Sequence, residues 1–76
     1  MDEPIWESTI SNFYTFKVMP LGENMHRGML EIWHTDSGEL RYQKEVPINR
    51  MLENGADDKI FREWQKVVVD WVKNKS

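Results

Sequence analysis

Between Ile10 and Val46 the large apolar residues fall at even spacings: Ile10, Tyr14, Phe16 and Val18, then Leu30, Ile32, Leu40, Tyr42 and Val46. A period of two is the mark of strands with one face buried. Two turn signals divide this region into three strands. In Thr35-Asp-Ser-Gly-Glu39, Asp and Ser favour a type I turn, and Gly38 suits the left-handed position that closes a three-residue hairpin loop, residues 36–38, with a bulge. In Pro20-Leu-Gly-Glu-Asn24, Pro, Gly and Asn separate two alternating runs and predict a second hairpin loop.

The first turn pairs His34 with Leu40, Trp33 with Arg41, Ile32 with Tyr42 and Leu30 with Lys44. The second pairs Met19 with Met25, Phe16 with Gly28 and Tyr14 with Leu30. These two registers place the nine apolar residues named above on one face, with Gly28 beneath the Phe16 ring. A slip of one residue in either would scatter the set over both faces.

Beyond Pro47, which ends the third strand by removing a ladder donor, the period changes. Stepping 100° per residue from Ile60 gathers Ile60, Phe61, Trp64, Val67, Val68, Trp71 and Val72 in an arc of roughly 140°, opposite Arg62, Lys66, Asp70 and Lys73. That pattern predicts an amphipathic helix from Asp58 to Asn74. Asp57 is placed as its N-cap, and Lys73 and Lys75 sit at its end, as the helix dipole favours. Val69 falls on the polar side, either as one exposed valine or as the edge of a contact with another chain.

The predicted fold class is α+β: a three-stranded antiparallel β-meander, order 1-2-3, with one C-terminal amphipathic α-helix packed on one face. Residues 1–76 read as a single domain. Residues 1–10 form an N-terminal arm, 10–47 the meander, 48–56 a connection and 57–75 the helix. The connection is either one helical turn closed by Gly55 or irregular.

Composition narrows what such a domain does. The 76 residues include no cysteine, so neither a disulfide nor a thiolate zinc site holds the fold. At this size one core supplies only about 3–5 kcal/mol, which favours self-association. A net charge of −3 opposes unspecific attraction to phosphates or anionic lipid. No apolar run approaches the ~20 residues that span a bilayer. The expectation is a small acidic protein, soluble and cytoplasmic, with no membrane partner.

Reactive chemistry has little foothold. On one extended strand His26 and His34 stand roughly 26 Å apart, too far to share an ion. Ser8, Ser11 and Ser37 lack an activating motif, and no phosphate-binding glycine loop or zinc-protease helix occurs. We expect no enzyme activity, no cofactor and no metal.

The residues left over by the apolar face are more informative. Phe13, Thr15, Met29, Glu31, Trp33, Arg41, Gln43 and Glu45 project to the opposite side, with Trp33 set against Arg41 for a cation–ring contact. Apolar residues ringed by charges have the composition of a protein interface. Phe13, Met29, Glu31, Trp33, Arg41 and Glu45 are therefore the expected partner-binding residues. The partner is another protein or a second copy in a homodimer, and the role is accessory or regulatory, with inhibition of a target permitted. Alternatively, Ile5 and Trp6 of the arm cover this face, within one chain or across to a second subunit. Single-stranded nucleic acid on the aromatic face is the alternative ligand, disfavoured by Glu31 and Glu45.

Overall fold

The computed structural model of the chain describes residues 3–11 and 13–75. Its elements run β1 (Trp6–Ser11), β2 (Tyr14–Pro20), β3 (Arg27–His34), β4 (Leu40–Pro47) and α1 (Asp58–Lys75). The architecture is α+β, an antiparallel meander in the order β1-β2-β3-β4 with one C-terminal helix packed over it. Four strands replace the three expected, because part of the supposed N-terminal arm is itself a strand. Trp6 pairs with Val18, Glu7 with Lys17 and Ser8 with Phe16. The pairing carries Trp6 beneath the helix, where its ring meets Phe61 edge-on at 5.9 Å and Trp64 at 5.8 Å. Ile5 and Trp6 thus pack against the helix-side core and do not cover the opposite sheet face.

The hairpin registers are also corrected. Phe16 lies opposite Ile32, Val18 opposite Leu30 and Pro20 opposite Gly28, four residues from the expected pairing. The loop is longer than Pro20–Asn24 because Asn24 organises its far side: the Asn24 side chain accepts from the backbone N–H groups of His26 and Arg27. Gly28 consequently sits below Ile48 rather than Phe16. A Cβ at Gly28 would stand 2.8 Å from both the Ile48 side chain and the Met19 carbonyl oxygen.

At the other hairpin, Ile32 faces Tyr42 and Leu30 faces Lys44 as expected. The tip is one residue longer: the His34 N–H donates to the Glu39 carbonyl and the N–H of Gly38, at φ +70°, donates to the His34 carbonyl. That leaves four loop residues instead of three, and one extra residue in β4, Arg41, absorbs the difference as a bulge. Trp33 therefore faces Leu40, and Leu40 is exposed instead of joining the core face. The placement expected for the Ile10 side chain lies outside the described residues.

The core joins Phe16, Val18, Leu30, Ile32 and Val46 of the sheet, Ile48 and Ala56 of the connection, and Trp64 and Val68 of the helix. Asp57 caps α1 as expected, its carboxylate accepting from the Ile60 N–H at 2.9 Å. Trp64 and Val68 mark the centre of the buried stripe, while Val72 lies at its rim and is half exposed. Trp64 is fully buried, and its indole N–H donates to the Pro47 carbonyl at 2.7 Å. Farther along, Trp71 meets Tyr14 and Phe16 edge-on.

The connection is irregular rather than a helical turn. Asn49 and Gly55 close it, with the Asn49 N–H donating to the Gly55 carbonyl at 2.8 Å. Gly55 has φ +72°, and a Cβ there would lie 1.9 Å from Ile5 Cγ2. Gly55→Ala therefore combines left-handed strain with a collision, and should cost more than about 2 kcal/mol in urea unfolding. Gly38→Ala, with the same backbone strain and nothing within 4 Å, should cost about 1 kcal/mol. Equal losses would contradict the Ile5 contact.

Candidate protein-binding face of the sheet

Alternation along four strands sets a second row of side chains on the face away from α1. Lys17 faces Glu7 on one side and Glu31 on the other, and Glu31 faces Gln43. A stripe of alternating charge thus crosses the sheet. On one flank of the stripe Met19 faces Met29, which faces Glu45; on the other Thr15 faces Trp33, which faces Leu40.

The polar groups of this face are engaged with one another. Lys17 Nζ lies 3.6 Å from the Glu7 carboxylate and 5.9 Å from the centre of the Trp33 ring. Trp33 Nε1–H donates to Glu31 at 3.1 Å, and Arg27 Nε donates to Glu45 at 2.6 Å. Exposed ion pairs contribute about 0–1 kcal/mol each, and a cation over an exposed ring about 0.5–1 kcal/mol. Their effect on stability is small. What they do is set Trp33, Lys17 and Glu31 beside one another on this face.

Four of the six expected residues, Met29, Glu31, Trp33 and Glu45, come together here. Arg41 does not. As the bulge residue it leaves the position opposite Trp33 and pairs with Glu39 at 3.4 Å, so the cation over Trp33 is Lys17. Phe13 stands at the end of the sheet, where its carbonyl accepts from the Thr35 N–H. It is 59% exposed and lies just beyond the Thr15–Trp33 pair, so it keeps its expected place near Trp33 but stands about 20 Å along the sheet from Met29.

Lys17, Met19, Arg27 and Glu7 were missing from the expected set. The first three follow from carrying the alternation of Thr15 and Met29 along their strands. Glu7 required β1 to be seen as a strand.

Two of the remaining polar residues, His34 and Ser37, partner each other. His34 Nδ1 accepts from the Ser37 N–H and contacts Ser37 Oγ at 2.9 Å, which caps the β3–β4 turn. Among the described residues no group of three His, Cys, Asp or Glu side chains is placed to hold a metal ion, and no helix is long and apolar enough to cross a membrane. In comparisons with known proteins, no family model, no curated sequence and no solved structure matches the chain.

The Trp33–Glu31 bond has a direct spectroscopic check. In Glu31→Ala the Trp33 indole N–H resonance should shift, while those of Trp6, Trp64 and Trp71 stay in place. An unmoved Trp33 resonance would contradict the bond.

Proposed function

We propose that this chain is a non-catalytic protein-binding module, of accessory or regulatory type, which docks on another protein through the outer face of its sheet. The observation that carries the reading is one-sided closure. Trp6, the 48–56 connection and α1 all pack on the same side, while Met19, Met29 and Trp33 on the other are half-buried among their strand neighbours and take no part in that core. Methionine, tryptophan and arginine are the types enriched where proteins meet, with charged groups at the rim.

The internal pairing of the face also supports a protein over a nucleic acid. Lys17 and Arg27 are each neutralised by a carboxylate, and Glu31 stands at the centre. A polyanion would have to displace those carboxylates before gaining any phosphate contact. A protein surface can instead cover the pairs intact, burying the methionines and the Trp33 ring around them.

The test is affinity capture from the native host with the wild type, Trp33→Glu, and Lys66→Glu as a control on the exposed side of the helix. A protein held by the wild type and the control should be lost from Trp33→Glu, with the far-ultraviolet circular dichroism unchanged. Retention of every partner by folded Trp33→Glu would contradict the assignment.

A further inference from the structure

We propose that two copies of this chain join through β1, edge to edge and antiparallel about a two-fold axis, to form one continuous eight-stranded sheet. The two edges of the sheet are unlike. β4 carries exposed Arg41, Lys44 and Glu45, the Arg41 bulge and a terminal Pro47, all of which discourage a further strand. β1 has one ionisable residue, Glu7, and its carboxylate faces Lys17 on the side away from the helix. Among the described residues, no group outside β2 hydrogen-bonds to the backbone of Trp6 to Thr9. An edge strand in that condition offers alternate N–H and C=O groups as a template for another strand.

The ground beside β1 matches. A cleft of about 500 Å³ runs between β1 and α1, lined by Trp6, Ser8, Phe61, Gln65, Val68 and Val69. No charged residue lines it. Val69 in its lining is 49% exposed, and Val72, 47% exposed, extends the apolar flank of the helix beyond it. The corresponding depression on the β4 side, about 330 Å³, is lined by Val46, Pro47 and Val67 but also by five charged residues, Lys44, Glu45, Glu63, Lys66 and Asp70. Of these two flanks, the one beside β1 is the less well solvated.

Size and charge together favour a second copy as the occupant, since a core this small gains from self-association. A neutral flank meets its own image without opposing like charges, whereas the β4 flank set against itself would bring its charges close together. Both copies keep their helices on one side of the joined sheet only when the two-fold axis passes midway between the two copies of one β1 residue, which then lie opposite each other. Centring it on Glu7 would oppose two carboxylates. Centring it on Ser8 sets Glu7 of each copy against Thr9 of the other, and the two clefts become one trough floored by Trp6 and Ser8 of both copies. The seam makes no use of Met19, Met29 or Trp33, so it is independent of the partner-binding face. It would set two such faces side by side on one surface.

Light scattering coupled to gel filtration, from about 1 to about 100 µM, tests the seam. The wild type should run as a dimer at the upper end. Val69→Glu, which places a charge on an exposed flank position, should raise the dimer dissociation constant by more than about tenfold. Ser8→Lys, which opposes two ammonium groups at the axis, should do the same. Hydrogen exchange provides a readout that needs no variant: the β1 amides should slow as wild-type concentration rises. A monomer at every concentration overturns the proposal, as does a dimer untouched by both substitutions. A dimer lost only in Trp33→Glu overturns it as well, and moves self-association to the outer face.

Discussion

The fold turns on the seat of Trp64. Its side chain is completely buried, yet the indole carries a donor that would be costly to bury unpaired, on the order of 1–3 kcal/mol. The Pro47 carbonyl receives that donor at 2.7 Å. One residue thus supplies the largest apolar surface in the core and ties the middle of the helix to the end of β4. Trp6 and Phe61 pack around it, so β1, β4 and α1 all refer to the same ring system. A meander of this size has no second layer unless the helix is held there.

Closing the sheet from one side has consequences for the other side and for both edges. With α1 the only helix among the described residues, the outer face keeps its methionines and Trp33 in contact with solvent, and its charges settle into pairs along the Glu7–Lys17–Glu31 stripe. The helix also divides its flanks by charge. Glu63, Lys66 and Asp70 line the depression beside β4, together with Lys44, and Gln65 and Val69 line the cleft beside β1. The polar flank lies beside the strand edge that repels pairing and the neutral flank beside the edge that invites it. The two proposals, a docking face and a self-association seam, are therefore separate results of one packing arrangement.

The helix was fully legible in the sequence because its signals are local: Asp57 at the cap, the apolar arc around Trp64 and Val68, and lysine at the end. The division of the sheet into two faces was legible for a different reason. The expected β2–β3 register was wrong by four residues, and an even error leaves every side chain on its proper face. Agreement between the two hairpins therefore tested parity and not pairing. Pairing was hidden because it depends on side chains reaching across loops, as Asn24 does to His26 and Arg27, and as Arg50 does to the Gly22 carbonyl. β1 escaped notice because Ser8 occupies an apolar-face position and dilutes the alternation that Trp6 begins. Of the site, Met29, Glu31, Trp33 and Glu45 followed from alternation alone. Arg41 was misplaced by a bulge that only the four-residue tip explains, and Phe13, relative to Met29, by the four-residue register error.

Trp64 closes one face of the sheet and leaves Trp33, half-buried, on the face with no helix. Hydrogen exchange of the four tryptophan indole N–H groups at low protein concentration, followed by nuclear magnetic resonance, addresses both halves together. The account predicts that the Trp64 indole exchanges the most slowly, at the rate of global unfolding, and that the Trp33 indole exchanges far faster. A Trp33 indole as protected as that of Trp64 would contradict it, since the outer face would then be covered within the chain.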